Sequence, residues 1–167
     1  MKAKTGLGFV FAICIIMFVV SIVVVVINTI HLDNTVTAAK YRAQTCASAE
    51  EMHTRLIELD AVMEKEGMNA GYCSLLNHNV WTDMKEIRKN IQALIIRTDE
   101  VRQLDHKTDA YQSGLDDIRG NIRELETSVF GWWTYNGGGW IWFLLLGPLF
   151  TILGIIFGIA FFVNDDY

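Results

Sequence analysis

An all-α membrane protein is predicted: two transmembrane helices joined by a long extramembrane helical hairpin, coiled-coil-like and completed by oligomerisation. Three observations predict it. Apolar and charged residues are segregated along the chain. Only one proline occurs in 167 residues, which removes the commonest helix breaker. Apolar or small residues recur every three or four positions through the charged middle of the chain. The resulting division is a cytoplasmic N-terminus at 1–5, transmembrane helix 1 at 6–30, an extracytoplasmic helical hairpin at 31–131, an aromatic and glycine-rich interfacial hinge at 132–139, transmembrane helix 2 at 140–163 and a cytoplasmic tail at 164–167.

The first span rests on length. Gly6 to Ile30 holds 25 residues without a charge, and a crossing needs about 20. Lys2 and Lys4 would also suit the positive start of a cleaved signal peptide. The apolar core of such a peptide is only about 7–15 residues, so an uncleaved anchor is expected. Cys14 and Met17 fall inside it as apolar residues.

The charged block follows. From 31 to 131 there are 12 Lys+Arg and 17 Asp+Glu, which accounts for the net charge of −5. An acidic, mixed-sign block is unsuited to nucleic acid, since phosphate binding needs a clustered positive field. The first stripe includes Val36, Ala39, Ala43, Cys46, Leu56 and Leu59. With no strong breaker from Ile30 to Glu66, the helix is expected to leave the membrane without a joint. A Gly/Asn-rich break spans Gly67–Asp83, and a second helix is expected to start near Thr82, with Asp83 and Glu86 favouring its first turn. The second stripe carries Ile87, Ile91, Leu94, Val101, Leu115, Ile118, Ile122 and Leu125. Between Val101 and Tyr111 the patch Asp105–Asp109 weakens it and marks a phase shift.

A two-helix hairpin has little core, so both stripes are expected to be buried against a second copy or a partner's helices. The 35 residues from Leu32 to Glu66 are shorter than the 49 from Thr82 to Phe130. The mismatch closes if Met68–Leu76 is also helical and the tip is Asn77–Asn79. A shorter, folded-over bundle of three or four helices is the alternative. The layout of span, helical bundle and span resembles the periplasmic part of bacterial chemoreceptors, and that resemblance implies a sensor module. A tail of four residues after the second span is too short for an output domain.

Near the second span, Trp132, Trp133, Tyr135, Trp140 and Trp142 suggest an interfacial aromatic belt, and Gly137–Gly139 a flexible joint. Gly147, Thr151, Gly154 and Gly158 share one helical face of small residues, expected to pack in the membrane. The lysines at the start place both termini in the cytoplasm and the central block outside it, in a bacterial inner membrane or equivalent.

No phosphate loop, nucleophile elbow or metalloprotease motif occurs, and adjacent acidic pairs point in different directions on a helix. No catalytic residue, cofactor or metal site is expected. Histidines 31, 53, 78 and 106 are dispersed and form no i, i+4 ligand pair. For Cys46 and Cys73 three states stand open: an intramolecular disulfide, a Cys46–Cys46 bond between copies, and free thiols. The expected partners are lipid and membrane-protein subunits, this chain included. The leading function is a non-enzymatic accessory or scaffold subunit. A sensor module and an auxiliary channel or transporter subunit are the alternatives.

Overall fold

The computed structural model describes residues 2–74, 77–125, 127–136 and 146–163. Its helices are α1 (Lys2–Leu32), α2 (Ala38–Gln44), α3 (Ala49–Lys65), α4 (Met84–Arg102), α5 (Asp109–Glu124), α6 (Val129–Tyr135) and α7 (Gly147–Val163). No strand forms among the described residues, and Tyr72 and Asp83 make an isolated antiparallel bridge. The chain divides into two compact units. One comprises residues 1–28 and 138–167, the other Thr29–Gly137.

In the first unit, α1 exposes Ile13, Ile16, Val19 and Val23 along its uncharged stretch. It is the one helix among the described residues long and apolar enough to cross a membrane. The second apolar run is described from residue 146 onward, and α7 is shorter, with 17 residues. Two crossings are therefore not established by helix length.

The second unit is a four-helix bundle, called the head below. α1 widens to a π-turn over Asp33–Thr37 and continues directly into α2, as its unbroken sequence predicts. α2 packs on α3 and α5, α3 on α4, and α4 on α5, so the four close a ring. Val36, Met52, Leu56, Leu59, Met63, Ile91, Leu115, Ile118 and Ile122 are fully buried in its core.

The expected hairpin, completed by a second copy, is thereby corrected to the folded-over bundle. Each fold has a local cause. After Gln44 the chain turns, and the Ser48 hydroxyl accepts a hydrogen bond from Glu51 N (3.3 Å) to cap α3. Ser48-x-x-Glu51 is the sequence of a capping box. α3 ends in a Schellman turn: Gly67 has φ +76°, Met68 N bonds to Met63 O (2.8 Å), and Gly67 N bonds to Glu64 O (3.0 Å). Asp83 caps α4 from its side chain (2.9 Å to Lys85 N), where the sequence places the start of that helix. The polar patch after Val101 is a second reversal, with Thr108 capping α5 through Tyr111 N (3.3 Å). The length mismatch disappears, because α3 and α4 are 17 and 19 residues long.

Polar links brace the ring. Arg88 grips Asp60 with two bonds (2.8 and 3.0 Å) and also reaches Asn69. The Tyr111 hydroxyl accepts from Ala49 N (3.0 Å), so α5 helps to cap α3. Arg119 donates to Cys46 O (2.7 Å).

Candidate functional site

A groove of about 330 Å³ runs between α4 and α5. Its floor is apolar, made by the buried Ile87, Leu94 and Leu125, and its rim carries Asn90, Arg97, Asn121 and Glu124, all exposed. Trp81 closes one end. The chemistry offered is amide donors and acceptors beside one guanidinium and one carboxylate. That suits non-covalent recognition of an amphiphilic surface, and the volume falls in the range of ligand pockets, about 300–1,000 Å³.

Local sequence explains how the groove is held open. Arg97 on α4 reaches Asp117 on α5 (2.9 Å). Trp81 stands on a turn built by Asn79, whose side-chain oxygen accepts from Trp81 N (2.9 Å) and Thr82 N (3.2 Å). The Thr82 hydroxyl in turn donates to Asn77 O (2.6 Å). Sequence reasoning passed over this groove. In sequence Ile87, Leu94 and Leu125 belong to the seam stripe, and Trp81 belongs to the Gly/Asn-rich break. The legible signal was an aromatic residue beside an Asn/Thr turn just before a helix cap.

All the seam residues are buried, and they are buried inside one chain: Val36, Ala39, Ala43, Cys46, Leu56 and Leu59 from the first stripe; Ile87, Ile91, Leu94, Val101, Leu115, Ile118, Ile122 and Leu125 from the second. In the other unit, Gly154 and Gly158 are buried, Gly147 is half-buried and Thr151 is exposed. The Thr151 hydroxyl bonds back to Gly147 O (2.8 Å). Gly154 faces Cys14 of α1, and a Cβ built on it would lie 3.8 Å from that of Cys14. An apolar groove of about 410 Å³ remains beside these glycines.

Trp132 and Trp133 do not present a surface belt. Both are buried in the head, and Trp132 Nε1 donates to Ala70 O (3.2 Å). The physical reason is α6, which folds onto the 67–83 loop: a Cβ on Gly131 would strike Cys73 O. Tyr135 stays partly exposed, edge-on to His78. Trp140, Trp142 and the joint Gly137–Gly139 lie outside the described residues.

Cys46 and Cys73 are free thiols. They sit at opposite ends of α3, whose 17 residues span about 25 Å, so the intramolecular bond is excluded by distance. Burial pushes the Cys46 thiol up from its ordinary pKa, and Glu51 adds to the shift. Among the described residues, no group of three His, Cys, Asp or Glu is placed to hold a metal. His31 pairs with Glu66 (3.3 Å), His78 stacks on Tyr72 and His106 on Tyr111. Comparison of the chain with protein-family models, with curated proteins and with solved structures finds no match.

Proposed function

We propose that this chain is a non-enzymatic, two-span membrane protein whose head lies outside the cytoplasm and serves as an accessory subunit of a membrane complex. The observation that carries the reading is the unbroken passage of α1 from a span-length apolar segment into a bundle that closes its own core. A head of this kind has no need of a second copy to fold. Its association surfaces are the lipid-facing sides of α1 and α7 and the α4–α5 groove. The second crossing is supplied by residues 140–163, uncharged throughout. Lys2 and Lys4 hold the N-terminus in the cytoplasm.

Two measurements test this. Labelling of single cysteines introduced at the exposed Ile57 and Ile96 and at Lys2 should find the first two accessible from outside the cell and the third inaccessible. Purification in mild detergent should recover a different membrane protein with the chain, and Ala93→Trp, which fills the groove, should reduce that recovery. Recovery of this chain alone, or a head labelled only from the cytoplasm, sinks the reading. The groove's volume and mixed lining favour one second reading, a sensor head that binds a small amphiphile there. In that case a ligand would raise the melting temperature of the wild type and leave Ala93→Trp unmoved.

A further inference from the structure

The two ends of the head differ in chemistry. At one end, called the base, the chain enters along α1 and leaves after α6. His31 meets Glu66 there (3.3 Å), and Asn136 donates to Tyr72 O (2.9 Å). The base is built from the described residues of two segments distant in sequence, 67–82 (67–74 and 77–82) and 127–136. Neither contains an Asp, Glu, Lys or Arg, in 16 and 10 residues respectively. Large apolar side chains stand exposed on the same end: Trp81 at 74%, Val80 at 66% and Ile30 at 54%, with Phe130 and Tyr135 partly exposed. The opposite end consists of the turns after α2 and α4. Among its described residues Leu104 is the one large exposed apolar side chain, and the exposed Asp105, His106 and Lys107 follow it in the chain.

Trp81 is held in this exposed position. Asn79 fixes its backbone, and Asp83 caps α4 two residues later. A rigid tryptophan kept in water loses the benefit of burial without recovering entropy. At the level of a bilayer surface the same side chain is favoured, because its ring is apolar and its N–H finds water or headgroups. The base is the end of the head that the uncharged run enters: that run closes at Ile30, and the next residue, His31, pairs with Glu66, just before the base loop.

We propose that the base of the head is seated in the membrane, with Val80 and Trp81 inserted at the boundary between lipid headgroups and acyl chains. The proposal rests on α1 crossing a bilayer, and it supplies an interfacial anchor some fifty residues from the expected tryptophan belt, at a site where the fold brings the loop beside α6.

The test uses the full chain in lipid nanodiscs. The emission of Trp81 is obtained as the difference between wild type and Trp81→Phe. Lipid brominated near the headgroup should reduce that difference by about half, while aqueous acrylamide has little effect. Strong acrylamide quenching without bromine quenching overturns the proposal. Insensitivity to both means that protein covers Trp81, which also overturns it. Phe18→Trp, in the middle of α1, separates the two levels of the argument. If bromine on the acyl chains quenches it while Trp81 is not quenched, the span stands and the seated base fails. If it too is unquenched, the membrane reading itself fails.

Discussion

At the residue scale, three substitutions read the packing and a fourth the charge balance. Gly114 and Gly120 are both helix-interior glycines of α5, and sequence could not separate them. In the structure a Cβ on Gly114 would come within 2.7 Å of Val101 Cγ2, whereas one on Gly120 meets nothing. Gly120→Ala should therefore stabilise by up to about 1 kcal/mol through propensity alone. Gly114→Ala should destabilise by about 1–3 kcal/mol, because α4 and α5 must separate or Val101 must leave its rotamer. Thermal melts in detergent read both. The Thr134 hydroxyl is fully buried and makes no hydrogen bond among the described residues, so Thr134→Val should stabilise by about 1 kcal/mol. Glu58 reads the charge balance. Its hydrogen bond from Arg55, with a smaller pull from Arg42, holds its carboxyl below the ordinary range. A depressed folded-state pKa adds stability above the unfolded value, and that stability is lost as pH falls through the folded one. The melting difference between wild type and Glu58→Gln should be small at neutral pH, begin to shrink near the ordinary glutamate pKa of about 4.3, and vanish only at lower pH.

At the element scale, the reversals matter more than the helices. Helical periodicity survives a tight turn almost unchanged, so Ala43, Cys46, Ala49 and Met52 read as one stripe although Ser48 starts a new helix. The cap was legible as Ser48-x-x-Glu51. It was outweighed by the absence of Gly or Pro, the stronger punctuation. At Gly67 the punctuation was present, and its positive φ ends α3. Ser48→Ala should cost about 1 kcal/mol, and Gly67→Ala a similar amount through the left-handed backbone. Both are expected to melt the head as one cooperative unit, because α5 caps α3 through Tyr111. Two separated transitions by circular dichroism would contradict that coupling.

At the scale of the whole molecule, the seam that the sequence offered for association is occupied by the chain itself, and the small face of α7 is occupied in part, since Thr151 stays exposed. The seam forms the bundle core, and Gly154 packs on Cys14. Residues 29–137, produced without the spans, should therefore fold as a helical monomer. Sedimentation equilibrium checks this, and a dimer stable at micromolar concentration would restore the paired-hairpin arrangement. Gly154→Ala should be tolerated, since its Cβ meets Cys14 at ordinary contact distance. Gly154→Leu should force α1 and α7 apart, lowering the melting temperature of the full chain but not that of residues 29–137.

What the sequence by itself determined is the set of buried positions and the separation of apolar from charged segments. Burial follows from side-chain hydrophobicity repeated at helical spacing, and that information is local. Val36, Leu56, Ile91 and Ile122 are core residues whichever helices they meet. Only the tertiary structure decided the partners. Whether a stripe pairs with a second copy or with its own continuation depends on turn geometry and chain reach, which periodicity does not encode. The same limit applies to the aromatics. Trp132 and Trp133 are apolar enough for either a membrane boundary or a core, and the close approach of Gly131 to Cys73 O places them in the core. Among the described tryptophans, Trp81, unremarkable in sequence, is the exposed one, because the Asn79 turn holds it outward.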